Sequence, residues 1–310
     1  MNNVIVTGSI AFDHLMHFDG VFEESFMPDE LSNLSISFIA SGHDVNYGGC
    51  GANIAYSLKL CGVNPLLFGV LGNDGEDYMM WLRSNSIPID YLEIDMDAKS
   101  SAAYVLSDKN QSQITFFSPS VMQNESLCMN FSRLTNEEVS LAIISPNAPS
   151  RMVSLANSAK EKNIKYIFDP GQVITSLSGD QIIEIIANSI GLIVNEYEMN
   201  LLLKKTSCSP DDLLKLCEFI VITRAHRGAH LYSSAHDMLI KGIETKDVKD
   251  ATGSGDAFRA GFIYAYVNDK SLPECIQYGN VVAHKSLAFL GTQKHNFNMT
   301  DIEKTLSKNY

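Results

Sequence analysis

Asp256 closes the run Asp250-Ala-Thr252-Gly253-Ser254-Gly255-Asp256, and an amphipathic stretch continues from it to about Val267. Glycines at 253 and 255 let the backbone turn sharply into a helix and expose consecutive N–H groups at its start. Together with the positive end of the helix dipole, those donors make a hole for an anion such as a phosphate. A carboxylate beside that hole could take a proton from an incoming hydroxyl. The same residues also read as an ordinary helix start with an acidic first turn. Arg259, three residues on and on the same helical face, could neutralise a transferred phosphate or simply pair with Asp256.

A second run, Asn46-Tyr-Gly48-Gly49-Cys-Gly51-Ala-Asn53, also precedes a helical stretch. Its glycines permit close backbone approach to a ligand, and the Asn53 amide could face sugar hydroxyls. It is not a dinucleotide fingerprint, because Ile54 stands where the third glycine belongs, and the chain contains no Gly-Lys-Ser/Thr. Alone, such a loop identifies no ligand.

The elements that must carry these loops show as short apolar runs: NVIVTG near the start, then 66–72, 141–146, 166–170, 192–196 and 219–224. Runs of that length, separated by amphipathic stretches at 53–61, 150–163, 180–188 and 210–217, predict buried parallel strands alternating with helices. The fold class is therefore α/β, an open, mostly parallel sheet covered on both faces, with ligands expected at the strand ends. Residues 14–47 and 90–120 break the alternation. LSISFIA at 34–40 and SAAYVL…ITFF at 101–117 read as antiparallel strands of one small β lid built from two insertions. The large domain is then 1–13, 48–89 and 121–310.

Of 310 residues, 45% are hydrophobic and 19% charged, as in globular proteins. Lys plus Arg is 23 against 36 Asp plus Glu, a net charge of −13, which repels a nucleic-acid backbone. No run of about 18 apolar residues offers a membrane span. With no basic and apolar leader at the start, a cytoplasmic location is expected. The six cysteines (50, 61, 128, 208, 217 and 275) lack a CxxC pair or a nearby His at ligand spacing. They read as buried small hydrophobes rather than zinc ligands or disulfides. The N-x-[ST] triplets at Asn33, Asn124, Asn130 and Asn298 read as chance.

Taken in order, VTGSIAFDHLM, GGCGAN, LGNDGEDY, NEYE at 195–198 and DATGSGDAF resemble the ribokinase-like (PfkB) family of carbohydrate and nucleoside kinases over nearly the whole length. The opening block, Asp169-Pro-Gly-Gln172 and DAFRAGF look particularly like its bacterial adenosine kinases. The resemblance implies Asp256 as general base toward a sugar hydroxyl, here the 5′-OH of a nucleoside, with Gly253, Ser254 and Gly255 facing the transferring phosphoryl group. It implies Asp13, Gly48, Gly49 and Asn53, with Ser9 beside them, as sugar contacts, and Gln172 near nucleobase and sugar. Phe116 and Phe117 could stack on a purine or fill the lid core. Ala103 stands where a stacking aromatic is expected, with Tyr104 next to it.

For ATP the resemblance implies Asn195, Thr223, Arg224, Gly228, Thr252, Arg259, Asn280 and Ala283. Ala225 occupies the place of the middle glycine in the T-x-G-x-x-G segment. Glu198 is expected to organise Mg²⁺ largely through water, and Asp250, with Thr252, marks a site for a monovalent cation such as K⁺. An adenosine-type nucleoside kinase leads; a ribose- or fructose-type sugar kinase and a silent nucleoside-binding protein stay open. The lid is expected to close over nucleoside and ATP to exclude water. A homodimer through the lid and a monomer are both compatible with the sequence.

Overall fold

Successive side chains of a strand face opposite ways, so an apolar run covered on both sides feeds two cores at once. In the first strand Val4 and Val6 enter one hydrophobic cluster and Ile5 the other. Ile143 and Ile193 join the first cluster, while Ala142, Ile144, Leu192 and Val194 join the second. The computed structural model describes residues 2–25, 36–110, 112–124, 126–127, 129–134, 138–245 and 247–310. Leu34 and Ser35 of the expected first lid strand, Asn33 and Cys128 lie outside them.

The chain opens with β1 (Asn3–Thr7), β2 (Ala11–Phe18), the single turn α1 (Phe22–Ser25), β3 (Ala40–Gly48) and α2 (Cys50–Leu60). Then come β4 (Asn64–Gly72), α3 (Glu76–Ser84), β5 (Leu92–Asp95), β6 (Ser101–Ser107) and β7 (Gln113–Ser118). Strand and helix alternate through β8 (Val139–Ile144), α4 (Pro149–Glu161), β9 (Tyr166–Phe168), α5 (Gly179–Ile186), β10 (Gly191–Asn195) and α6 (Glu196–Thr206). The last third holds α7 (Pro210–Leu213), β11 (Phe219–Thr223), β12 (Ala229–Ser233), β13 (Asp237–Ile240), α8 (Ser254–Tyr266), α9 (Leu272–Ser286) and α10 (Met299–Asn309).

Nine strands form the large sheet in the order β13-β12-β11-β10-β9-β8-β1-β4-β5. It is parallel except where β12 and β13 turn back at one edge. Helices α2, α8 and α9 cover one face through Ile54, Phe258 and Val281. Helices α4, α5 and α6 cover the other through Leu155, Ile182 and Leu202. Strand β1 lies between β4 and β8, so the winding reverses there, and the crevice beyond the strand ends at such a reversal is where ligands bind in open sheets.

The small sheet has the order β3-β2-β6-β7, parallel between β2 and β6 and antiparallel elsewhere. Its register places Asn46, Asp13, Ala103 and Phe117 side by side on one face. Val45, His14, Tyr104 and Phe116 form the next row on the opposite face, where His14 stacks on Tyr104 at 4.6 Å. Two boundaries differ from the sequence reading. Strand β2 starts at Ala11 and β3 ends at Gly48, so Asp13 and Gly48 belong to the small sheet. Residues 90–120 begin with β5, which pairs with β4 in the large sheet because Leu92 enters its core.

Candidate active site

Gly253 is the N-cap of α8 and holds φ at +72°, a conformation natural to glycine. A Cβ there would sit 2.9 Å from the Thr292 methyl. Because this cap has no side chain, it makes no capping hydrogen bond to the first-turn amides, which leaves the helix start suited to an external anion. The loop ahead of it is held by Asp250, whose Oδ1 accepts the Thr252 amide at 2.8 Å and whose Oδ2 accepts the Gly291 amide at 3.0 Å.

Gly49 plays the matching part for α2, with φ at +91° and room for no Cβ, which would lie 2.6 Å from the Ser9 carbonyl oxygen. Ser9, leaving β1, caps α2 from outside. Its Oγ accepts the Cys50 amide at 2.9 Å and its carbonyl accepts the Gly51 amide at 3.0 Å. The Ser9 amide donates to the Pro146 carbonyl beyond β8 at 2.9 Å. The ends of β1 and β8 and the start of α2 are thereby one unit. Asn53, one turn into α2, donates Nδ2 to Oδ2 of Asp256 at 2.8 Å and joins the two helix starts.

Acid groups crowd this junction. Burial pushes the Asp256 carboxyl up to about 6; the Asn53 donor, the Arg259 charge and the Cys50 thiol pull against it, and Asp169 adds to it. Burial, with the charges of Asp256 and Asp250, pushes Asp13 up to about 7. Arg259 is buried and answers Asp169 rather than Asp256. Its Nη2 donates to Asp169 Oδ1 at 2.6 Å, its Nε lies against Oδ2, and Nη1 donates to the Gly255 carbonyl at 3.0 Å. The guanidinium therefore ties the first turn of α8 to the end of β9, and its side chain is spent before any phosphate arrives. Burial also raises Glu198, helped by Asp169 and opposed by Arg259.

The model of the pfkB family carbohydrate kinases matches residues 22–297. The chain belongs to that family. It is similar to a nucleoside kinase of Methanocaldococcus jannaschii, at 28% identity over 91% of this chain and 89% of the relative. Among solved structures it is similar to the Burkholderia thailandensis nucleoside kinase in complex with inosine, with a TM-score of 0.89, 26% identity and coverage of 99% and 98%. The same protein in complex with ADP-inosine gives 0.86 and 28%, covering 99% and 96%. As a pfkB-family member the chain is an ATP-dependent kinase with the ribokinase-like fold. The nucleoside kinases it is similar to carry the general name; adenosine appears in none of these three descriptions.

For a pfkB-family kinase, the expected residues divide into those gathered at the junction and those spent elsewhere. Gathered there are Asp256, Gly253, Ser254, Gly255, Asn53, Gly48, Gly49 and Asp13; a Cβ on Gly48 would strike the Asp13 carboxylate, which tucks against β3. Ser9 is buried and used as the cap of α2. Phe117 shares the Asp13 row and is 51% exposed. Gln172 is exposed in the turn after Asp169. Asn195 and Glu198 form a capping box at α6, where Asn195 Oδ1 accepts the Glu198 amide and Glu198 Oε2 accepts the Asn195 amide, each at 2.8 Å.

Thr223 ends β11 with its hydroxyl on the Val194 carbonyl at 3.4 Å, and Gly228 at φ +97° closes the turn that follows. Arg224 pairs with Glu196 at 2.8 Å, so it is committed to α6. Ala225 takes φ +49°, the left-handed backbone that a glycine would accept freely. Asn280 is buried and donates to the Lys241 carbonyl at 3.0 Å and the Tyr310 hydroxyl at 2.9 Å. Ala283 packs at the edge of the first core. Among the described residues no three His, Cys, Asp or Glu side chains form a metal cage. Cys61, Cys217 and Cys275 are buried as expected, but Cys50 opens α2 beside Asp256.

Two features had no signal in the sequence reading. Trp81 and Tyr78, one turn apart on α3, converge on Gln293, which in turn bonds Asn53, and no spacing rule joins α3 to residue 293. The buried Asn46, in the Asp13 row, has an Oδ1 with no hydrogen-bond partner among the described residues.

Proposed function

We propose that the chain transfers the γ-phosphoryl group of ATP to the 5′-hydroxyl of a ribonucleoside, a purine ribonucleoside such as adenosine first of all, giving the monophosphate and ADP. The observation that carries the reading is the Asp256 carboxylate held at 2.8 Å by Asn53 in the first turn of a helix whose N-cap has no side chain. Asp256 accepts the proton of the hydroxyl as that oxygen attacks the phosphorus. The amides of Gly255 and Asp256, with the α8 dipole, face the charge on the phosphoryl oxygens.

Asp13 suits the ribose. A short carboxylate accepts from two vicinal hydroxyls, and among the described residues no hydrogen bond or ion pair occupies it. The row Asp13–Ala103–Phe117 supports a flat base beyond the ribose, with the small Ala103 leaving room and Phe117 offering a ring face. That the Burkholderia relative forms a complex with inosine supports a purine ribonucleoside as the acceptor. Mg²⁺ keeps most of its waters and would be held chiefly through phosphates, with Glu198 the protein group assigned to that role. When bound, the ion neutralises phosphate charge. Asp250 accepts one backbone amide on each oxygen, which fixes the shape of the loop and leaves a lone pair on each oxygen for a monovalent cation such as K⁺.

The test is ADP release with ATP and Mg²⁺ across adenosine, inosine, guanosine, cytidine, ribose and fructose, for the wild type and Asp256→Asn. Turnover on nucleosides with free sugars inert is expected, and a loss of roughly 10²–10⁴-fold in kcat for the variant with nucleoside binding retained. Turnover on a free sugar alone, or a variant as fast as wild type, overturns the reading.

A further inference from the structure

Gln293 lies between α9 and α10, is 2% exposed, and uses both ends of its amide. Its Oε1 accepts the Trp81 indole N–H at 2.9 Å. Its Nε2 donates to Asn53 Oδ1 at 3.0 Å and to the Tyr78 hydroxyl at 2.7 Å. Tyr78 passes its own proton on to the Gly48 carbonyl at 2.5 Å.

The directions in this chain are forced. An indole N–H only donates, so the oxygen of Gln293 must face Trp81 and its NH₂ must face Asn53. Asn53 must then offer Oδ1 to Gln293 and has Nδ2 left for Asp256, as observed at 2.8 Å. We propose that Gln293 is a positioning residue which, oriented by Trp81, locks the Asn53 amide as a permanent donor to Asp256.

The lock matters because an amide is nearly symmetric in shape. An unlocked Asn53 donates to the ionised carboxylate but turns over to accept from the protonated acid, stabilising both forms. A locked Asn53 stabilises only the ionised form, which is the one that takes up a proton. Asp256 also faces Asp13 from β2, Cys50 from α2, Asp169 after β9 and Arg259 from its own helix, and all of these persist when Gln293 is changed.

The inference rests on the proposed role of Asp256 only for its kinetic consequence, so its test does not depend on turnover. The carboxyl carbon of Asp256 is followed against pH by ¹³C NMR in the unliganded protein, with Asp256→Asn identifying the signal. Gln293→Met, which is neutral and similar in size, should move the titration upward by about half to one pH unit. Trp81→Phe, which removes only the orienting donor, should move it the same way by less. In the pH dependence of kcat/KM the acidic limb should rise in step, with KM for ATP unchanged. A titration in folded Gln293→Met that coincides with wild type overturns the proposal, and if that variant does not fold, an unmoved Trp81→Phe titration does so. A wild type silent on every acceptor would remove the kinase reading while leaving the titration result to stand.

Discussion

Asp13 stores destabilisation that the apoprotein should reveal. In the folded chain its carboxyl is pushed up to about 7 from 3.8, first by burial and then by the Asp256 and Asp250 charges. A raised acid disfavours the folded state wherever the unfolded chain would ionise: the penalty is absent well below 3.8, grows as pH rises toward 7 and is complete above it. From that shift, the penalty is roughly 4 kcal/mol at pH 8 and roughly 0.5 kcal/mol at pH 4. Asp13→Asn keeps the shape and removes the charge, and it relieves Asp256 as well. Urea unfolding at the two pH values is the assay. With a slope of about 3 kcal/mol/M, the variant's midpoint should rise by about 1 M at pH 8 and hardly move at pH 4. A midpoint that falls at pH 8, or an equal change at both pH values, would refute the reasoning, because packing alone has no reason to follow the ionisation of Asp13.

Two further predictions concern the frame around the site. Arg259→Met should destabilise by about 3–5 kcal/mol, read as a lower unfolding midpoint, because Asp169 is then a buried carboxylate without its partner. Ala225→Gly should stabilise by about 0.5–1 kcal/mol in thermal unfolding, since relief of the left-handed backbone at φ +49° outweighs the entropy glycine adds to the unfolded chain.

Strands β1, β4, β8, β9, β10 and β11 were legible because each is built on an apolar run, which burial on both faces rewards, and the run at 192–196 needs no tertiary context to be read; β12 and β13, at the sheet edge, mix in His230 and Asp237 and show no such run. Leu92–Asp95 was not legible, because one buried leucine beside Glu93 and an exposed Ile94 looks like a lid strand until its partner β4 is known. The helix starts at Gly49 and Gly253 were readable from glycine placement, since the conformations they hold are local. Arg259 was not readable in its role. Its spacing suggests Asp256, but its side chain leans toward the helix start and finds Asp169, 90 residues earlier in the chain. The contacts of Asn280 were hidden for the same reason: the groups it binds, the Lys241 carbonyl and Tyr310, come from other parts of the chain. Gln293 carries no local signature, because its meaning lies in which donors and acceptors surround it.

The polar chain from Trp81 through Gln293 to Asn53 and Asp256 joins residues of the first third of the sequence to residues of its last fifth. During synthesis strands β1, β4 and β8 are all made before residue 145, yet the carboxylate at 256 and the Gln293 amide that bonds Asn53 arrive much later. Until α8 and α9 are made, the face of the sheet that they cover stays open, so this core and the contact between Asn53 and Asp256 form together.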